Sequence, residues 1–204
     1  MRANDYLENP CEMSSLPFWK TNAVTIPENM LILRDDMFIA EETHGHDDPS
    51  FRMLHDLCNI PFFQLDSAFQ VIDGSLEDFS DHINECYDRE HISVKELETY
   101  KTHPVFDQSL WISIAEKETH HIVATGIAEY DTTISEGILE WIQVSPSYRH
   151  RGLGKFVVCE LLRRMLGKAK FVTVSGRINN SHNPYALYRS CGFDNPVIWH
   201  VITK

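Results

Sequence analysis

The spacing of apolar residues changes its period along the second half of the chain, and this change predicts the elements there. From residue 109 onward, three segments alternate apolar and polar positions with the period of two that is typical of strands. They are Leu110–Ala115, Ile122–Tyr130 and Ile138–Val144. Because short polar turns separate them, we expect an antiparallel meander of three strands.

A helical stripe follows the meander between residues 152 and 166. Its apolar members lie three or four residues apart and include Leu153, Val157, Leu161 and Met165. The next apolar segment, Lys170–Ser175, has strand character. A crossover of strand, helix and strand is right-handed and leaves its two strands parallel, so we expect Lys170–Ser175 beside Ile138–Val144.

The first half of the chain predicts one strand and three helices. Met30–Leu33 is the strand, and Asp48 followed by Pro49 has the N-cap and first-turn pattern of a helix. Further helices are predicted at 76–87, capped by Ser75, and from the Ser93 capping box to Pro104. Residues 60–72 stay unassigned. The apolar positions of the helix at 48 are Phe51, Leu54, Leu57 and Cys58.

Sequence patterns at the two ends of the chain predict a short helix and a last strand at one end and a packed extension at the other. Asn183 and Pro184 fit the N-cap and first residue of a short helix, Tyr185–Cys191, and Val197–Thr203 alternates like a last strand. Residues 1–29 are rich in Pro, Asn and Ser, and we expect them to pack as an extension on a single domain spanning 30–204. Their apolar anchors are Leu16, Phe18 and Trp19.

The turn before the long helix contains residues that suggest a ligand-binding site. Arg149 and Arg151 bring positive charge, whereas Gly152 and Gly154 leave the backbone accessible where the helix begins. The unpaired N–H groups and the dipole of a helix start favour anions. This pattern predicts an anion-binding site. The alternative without a ligand is a helix N-terminus where the glycines only ease the backbone conformation and the arginines are solvated.

Two motifs resemble those of the GNAT acetyltransferase superfamily. The spacing of Arg149, Gly152 and Gly154 is similar to its pyrophosphate-binding signature, Q/R-x-x-G-x-G/A, and Leu187-Tyr188 with Gly192-Phe193 is similar to a second signature. A dinucleotide-binding fold and a nucleotidase phosphate loop fit these residues less well. The resemblance implies an α/β fold: a mostly antiparallel mixed sheet with one parallel, splayed strand pair and helices on both faces.

The resemblance also implies acetyl-CoA as co-substrate and positions that bind it. The pantetheine arm would lie along Ile142 and Val144, and Asn183 would either contact this arm or only cap its helix. Lys155 would either meet phosphate or stay solvated. The residues implied for the pyrophosphate are Arg149, Arg151, Gly152, Leu153, Gly154 and Lys155.

Acyl transfer to an amine needs a base and an acid. An alkylammonium must lose a proton before it attacks a thioester, and the leaving thiolate benefits from a proton donor. Glu140 interrupts an apolar strand face and is the candidate base, with Glu129 and Glu136 as rivals; a purely structural Glu140 stays open. Tyr188 matches the donor of many relatives, with Tyr185 or a packing role for Tyr188 as alternatives.

Composition narrows the class of protein. A net charge of −12 in 204 residues argues against nucleic-acid binding and favours cationic partners, such as a small-molecule or peptide amine. The five scattered cysteines and the lack of a signal-like or membrane-spanning apolar segment indicate a reducing cytoplasm. His44, His46, Asp47 and Asp48 are expected to be solvated, so no metal is predicted. A homodimer is compatible with these features.

The sequence therefore predicts an N-acetyltransferase that acts by direct attack in a ternary complex. No cysteine lies near the end of the motif strand, where a covalent intermediate would form. The alternative from another class is a non-catalytic acyl-CoA-binding or regulatory module that uses the same cleft. A nucleotide-binding protein is a third, weaker hypothesis.

Overall fold

The chain forms one large mixed sheet. A computed structural model describes residues 1–41, 43–88 and 90–204, and within them nine strands join in the order β1-β9-β3-β8-β7-β6-β5-β4, with β2 beside β9. The strands are β1 (Met30–Arg34), β2 (His46–Asp47), β3 (Ser50–His55), β4 (Phe69–Ile72), β5 (Trp111–Glu116), β6 (Ile122–Asp131), β7 (Glu136–Val144), β8 (Phe171–Arg177) and β9 (Asp194–Thr203).

Helices cover both faces of this sheet. They are α1 (Ala3–Glu8), α2 (Pro10–Met13), α3 (Phe18–Thr21), α4 (Leu76–Cys86), α5 (Val94–Tyr100), α6 (Leu153–Met165) and α7 (Pro184–Ser190). On one face α6 packs so tightly that a Cβ on Gly126 would lie 2.5 Å from Val157. On the other face α4 and α5 form a second core around Phe79 and Ile127. The predicted mixed α/β fold is confirmed.

The predicted meander is confirmed and gains a strand. β5, β6 and β7 pair antiparallel, and β4, from the segment left unassigned, adds to the edge at β5. β7 pairs with β8 in parallel, as the crossover rule requires, from Glu136 opposite Phe171 to Leu139 opposite Val174. All pairings in the described sheet other than this one are antiparallel.

The helix predicted from Asp48 is wrong. Residues 50–55 form β3, which lies inside the sheet between β8 and β9. Phe51, Arg52 and Met53 are all buried, so this short strand lacks the alternation that marks a half-exposed one, and such segments are easily mistaken for helix. The burial of Arg52 depends on an ion pair with Glu136, 84 residues away, which no local pattern reveals.

Local capping signals were reliable where hydrogen bonds close within one turn. Ser75 accepts from the Asp78 N–H at 3.1 Å, and Ser93 accepts from the Glu96 N–H at 3.2 Å. Both sites form reciprocal capping boxes, because the Asp78 and Glu96 carboxylates accept the N–H groups of the caps. The predicted helices at 76 and 93 therefore begin where expected.

The N-terminal segment, residues 1–29, packs on the sheet through short helices. Tyr6 of α1 is fully buried and contacts a small apolar cluster with Ile134 and Phe171. Phe18 lies against the Tyr6 ring, with centroids 5.4 Å apart. The domain boundary at residue 30 stays a prediction, but this segment brings α3 to the strand that carries the predicted base.

Candidate active site

Strand β7 leaves its parallel neighbour in the middle of the sheet. Its pairing with β8 ends at Leu139. On its other edge Ala128 pairs with Leu139 while Ile127 pairs with Trp141, so Glu140 is the extra residue of a β-bulge. A bulge bends a strand and re-aims its side chains. The bulge and the end of parallel pairing therefore coincide, and they open a cleft along residues 140–144.

Side chains take the place of a neighbouring strand along this cleft. The Tyr87 hydroxyl donates to the carbonyl of Ile142 at 3.3 Å, and Arg149 Nε donates to the carbonyl of Val144 at 3.1 Å. Backbone groups at such a position need partners. The two residues predicted to meet a pantetheine arm thus have carbonyls directed into the cleft.

The glycine turn opens α6 next to the cleft. Gly152 is the N-cap with φ +80°, a left-handed conformation that favours glycine. The first intrahelical bond runs from the Phe156 N–H to the Gly152 carbonyl at 2.9 Å, so the preceding N–H groups of the first turn have no intrahelical partner. A Cβ on Gly152 would lie 2.5 Å from the Phe63 ring. Only glycine therefore suits this position.

The predicted cations surround this helix start in different ways. Arg149 also reaches His182, with 2.9 Å between Nη1 and Nε2. Arg151 lies over the rings of Phe69 and Tyr148, at 5.5 and 5.3 Å. Lys155 Nζ is 5.8 Å from the centroid of Phe63. Leu153 contributes a side chain that is buried in the core, so only its backbone is suited to binding.

Helix α7 carries Tyr188, the predicted proton donor. Asn183 caps α7 by accepting from the Ala186 N–H at 3.1 Å. Tyr188 is only 6% exposed and packs edge-on against Phe51 and Phe193. Burial, and then the nearby Tyr87 phenol, raise the pKa of Tyr188 far above its usual range. Tyr188 is therefore a protonated phenol at neutral pH.

Two carboxylates lie at the bulge. Glu140 Oε1 accepts from Lys20 Nζ at 2.6 Å, and Glu129 Oε2 accepts from Trp19 Nε1 at 2.9 Å. Burial, and then the charge of Glu140, raise the pKa of Glu129 to about 8. A carboxyl group with such a pKa accepts and releases protons near neutral pH. Glu129 is thus a stronger base candidate than the sequence suggested.

Glu136, the other rival for the base, is part of the interior. It is fully buried and accepts from Arg52 at 3.1 Å, from Tyr6 at 2.7 Å and from Thr173 at 2.6 Å. The Phe18 N–H donates to its second oxygen at 3.1 Å. This carboxylate is committed to holding β3, β8 and the N-terminal segment together.

Sequence patterns missed several residues of this site. Lys20 and Trp19 reach the bulge from a segment more than 100 residues away, and no motif marks them. Tyr100 and His103 surround the same carboxylates: Trp141 donates to the Tyr100 hydroxyl at 3.3 Å, and His103 lies 3.7 Å from Glu129. These contacts follow from tertiary packing alone.

An acidic groove adjoins the cleft. It has a volume of about 380 Å³ and shares Tyr87 and His182 with the surroundings of Ile142 and Arg149. Arg177 bonds to Asp48 at 2.9 Å and to Glu90 at 2.7 Å within it. The acidic side chains that line it are Asp47, Asp48, Asp88 and Glu90.

Two negative observations concern the described residues only. Across 1–41, 43–88 and 90–204, no three His, Cys, Asp or Glu side chains come together as a metal site. In the same part of the chain, none of the helices has the length and apolar character needed to span a bilayer.

Comparisons with known proteins agree with this geometry. Residues 107–195 match the family model described as an acetyltransferase (GNAT) domain. No curated protein matches the chain significantly. The match contains the meander, the glycine turn, α6, β8 and α7.

Solved structures with low sequence identity share the fold. A GCN5-related N-acetyltransferase from Sphaerobacter thermophilus has a TM-score of 0.68 at 16% identity, over 85% of this chain and 59% of that one. A putative GNAT acetyltransferase from Novosphingobium aromaticivorans has a TM-score of 0.56 at 14% identity, over 89% and 70%. The ribosomal-protein-S18-alanine N-acetyltransferase of Escherichia coli has a TM-score of 0.50 at 17% identity, over 66% and 93%.

These similarities cover different parts of the chains compared. The chain spans about three fifths of the length of the Sphaerobacter protein, so that protein contains much that has no counterpart here. The family match rests on sequence within 107–195, whereas the structural likeness extends to the strands before it. The resemblance predicted from the two motifs is thereby confirmed for the part of the chain that contains them: residues 107–195 match a GNAT acetyltransferase domain.

Proposed function

We propose that the chain is an acyl-CoA-dependent N-acetyltransferase that transfers an acetyl group directly to an amine. One observation carries this proposal: the cleft where β7 leaves β8 lies between a glycine-opened helix start, a carboxylate pair and a protonated tyrosine. Coenzyme binding, a base and an acid are the three requirements of amine acylation.

The glycine turn supports binding of the coenzyme. The free N–H groups of Leu153, Gly154 and Lys155 and the dipole of α6 suit a pyrophosphate. Arg149, Arg151 and Lys155 add positive charge around it, and the cleft side of Ile142 and Val144 suits the amides of a pantetheine arm. Asn183 already caps α7, so we assign it mainly a structural role.

The carboxylate pair supports deprotonation of the acceptor. Glu140 lies on the bulge and hydrogen-bonds to an ammonium group, that of Lys20, at 2.6 Å. Glu129 lies beside it with a pKa of about 8, raised by burial and by Glu140. An acceptor ammonium at Glu140 would pass its proton to this pair, with Glu129 as the group whose pKa suits the transfer.

Tyr188 supports release of the thiol. Its hydroxyl is protonated at neutral pH, and the tyrosine lies near Tyr87, whose own hydroxyl donates to the carbonyl of Ile142. A phenol in this position can donate to a thiolate as it leaves. Tyr185 is a weaker candidate because it is 38% exposed, whereas Tyr188 is 6% exposed.

The acceptor is proposed to be a cationic amine, either a small molecule or a peptide. The acidic groove beside Tyr87 and His182 has the charge that attracts such a group. A reducing cytoplasm, expected from the cysteine pattern, is part of the same proposal. Nucleic acid is not proposed as a partner, given the net charge of −12.

Coenzyme binding is tested by calorimetric titration with CoA. We expect Gly152→Ala to weaken binding by more than about tenfold, because a Cβ both strains the backbone and meets Phe63. Gly167→Ala is the matched control: Gly167 also has a left-handed φ of +75° but faces open space, away from the cleft. Equal affinities for the two variants would contradict the assigned pyrophosphate site.

Catalysis is tested by following thiol release with acetyl-CoA and a panel of amines. A non-catalytic acyl-CoA-binding module is the second candidate, and one observation favours it: Lys20 already fills the place at Glu140 where an acceptor would bind. Binding of CoA without thiol release for any amine would support the module. Turnover that falls in Glu140→Gln and Tyr188→Phe while CoA affinity stays intact would support the enzyme.

A further inference from the structure

Lys20 occupies the position that an acceptor amine needs. Its Nζ lies 2.6 Å from Glu140 Oε1, within hydrogen-bond reach of the proposed base. The two side chains are only 23% and 16% exposed. Burial acts to lower the pKa of Lys20, but the Glu140 and Glu129 carboxylates outweigh it, so the pKa is raised and the amine is held as an ammonium.

The segment around Lys20 is anchored so that this amine stays in place. The N–H of Phe18 donates to Glu136, and Trp19 donates to Glu129, so the residues just before Lys20 are fixed to β7 and to β6 near the bulge. Trp19 also lies under the Lys20 ammonium, 5.4 Å from ring centroid to Nζ. The chain therefore presents its own lysine to the site much as a peptide acceptor would.

A purely structural ion pair explains these contacts less well. Attachment of the N-terminal segment is already provided by Tyr6 and Phe18 on the buried Glu136. The Lys20 ammonium is nevertheless withdrawn from water and held beside the proposed base. In contrast, Lys168 also makes an ion pair, with Asp107 at 2.8 Å, but it is more exposed and lies away from the bulge.

We propose that Lys20 is an internal acceptor, acetylated on Nζ by the site of its own chain. The inference rests on the proposed function, which supplies acetyl-CoA as the donor. The Lys20 ammonium loses a proton to the carboxylate pair, and Nζ attacks the thioester carbonyl. An amide C–N bond forms as the C–S bond breaks, and the electron pair leaves with sulfur, which takes a proton from Tyr188 to give free CoA. Nζ releases its second proton as the neutral amide forms, and this proton restores the Tyr188 phenol through solvent.

Acetylation would change the site that performs it. The product amide carries no charge, so the ion pair with Glu140 is lost and the carboxylate becomes available to an external amine. Self-acetylation of Lys20 would thus prepare the acceptor site for turnover on other amines. One CoA is released for each chain modified, before any external amine reacts.

The experiment incubates the full chain with acetyl-CoA and no added amine, and follows acetylation of each lysine by peptide mass spectrometry. We expect Lys20 to be acetylated first, at a rate that does not depend on protein concentration. Lys168 is the internal control for uncatalysed reaction of a paired lysine. Glu140→Gln should slow the modification of Lys20 by about 100-fold and leave that of Lys168 unchanged.

Lys20→Arg keeps the charge and should abolish the early release of CoA. Thermal unfolding of this variant checks that it folds. Lys20→Met is a second variant without the acceptor amine, and it removes the charge as well.

The outcomes separate the two proposals. If external amines are acetylated while Lys20 stays unmodified, the internal acceptor is wrong and the proposed function stands. A rate proportional to protein concentration would mean transfer between molecules and would also overturn the inference. If the chain neither binds CoA nor releases thiol with any amine, the proposed function fails, and the inference fails with it.

Discussion

The two halves of β7 use the same residue type for opposite purposes. In the first half, Glu136 is fully buried, and four donors from four different elements or segments surround it. In the second half, beyond the point where β8 separates, Glu140 is partly exposed and hydrogen-bonds to one lysine, Lys20. A carboxylate becomes structural where the sheet is paired on both sides and remains available where it is not.

The N-terminal segment makes the comparison sharper because it touches both carboxylates. Tyr6 and Phe18 bind Glu136, whereas Lys20 binds Glu140. The first set is buried and completes a network with Arg52, whereas the second is a single, less buried ion pair. Stability and activity should therefore depend on different glutamates only a few residues apart.

The largest effect, a loss of stability, is expected when Glu136 is replaced. Replacing it by Gln removes the charge that compensates the buried Arg52, so the free energy of unfolding should fall by about 3–5 kcal/mol. Chemical denaturation measures this loss. The control is Glu160→Gln, which breaks surface pairs with Arg163 and Arg164 and should cost less than about 1 kcal/mol. Similar losses for the two variants would refute the structural assignment of Glu136.

Glu140→Gln should behave in the opposite way. Loss of the proposed base should lower kcat for an amine acceptor by about 100-fold or more, with CoA affinity unchanged. The folded state should lose far less stability than in Glu136→Gln, since Glu140 has a single partner within hydrogen-bond reach among the described residues. Thiol-release kinetics and calorimetry on the same preparation give both numbers. Full activity in this variant would leave Glu129 as the base.

Glu129 should make stability depend on pH. Burial and Glu140 raise its pKa from the ordinary value of 4.5 to about 8. The folded chain then binds a proton that the unfolded chain has released, so this contribution is present below about 4.5 and is lost as the pH rises to about 8. Relative to Glu129→Gln, the wild-type free energy of unfolding should fall by roughly 1 kcal/mol per pH unit across this window. Parallel pH profiles for the two proteins would contradict this.

Tyr188→Phe should have the smallest effect of these changes. It removes one hydroxyl and keeps the ring that packs on Phe51 and Phe193. We expect kcat to fall by about tenfold, less than for loss of the base, because water can replace the donor in part. A matched control is Tyr185→Phe, on the exposed side of α7, which should leave kcat unchanged. An equal loss in both variants would assign the effect to packing of the helix.

Much of the fold followed from local patterns. The strands of the meander, the capped helices at Leu76 and Val94 and the long helix α6 were predicted within a few residues. Periodicity and capping depend on hydrogen bonds and side chains within one or two turns, which the sequence displays directly. β3 was predicted as a helix because its burial depends on partners at β8 and β9, far along the chain.

The residues of the site also divide into those that local patterns predicted and those that only distant contacts reveal. The glycine turn, Glu140 and Tyr188 were identified from motifs and from a polar residue on an apolar face. The sequence ranked Glu129 below Glu140, since its raised pKa comes from burial and from the nearby Glu140 on the neighbouring strand, which only the tertiary structure brings about. Tyr87 is the last residue of the helix predicted at 76–87, and no pattern marks it as part of the site. In the structure its hydroxyl donates a hydrogen bond to the carbonyl of Ile142 in the cleft.

The sequence by itself determined the match of residues 107–195 to a GNAT acetyltransferase domain and the helix start that suits an anion, and it predicted the candidate acid and base. These rest on short-range geometry: the left-handed φ of Gly152, the spacing of two motifs and the alternation of β7. Only the tertiary structure decided that β3 lies within the sheet, that Glu136 is structural and that Lys20 lies on Glu140. Those features join residues from 84 to 149 positions apart, and such contacts form only when the whole sheet assembles.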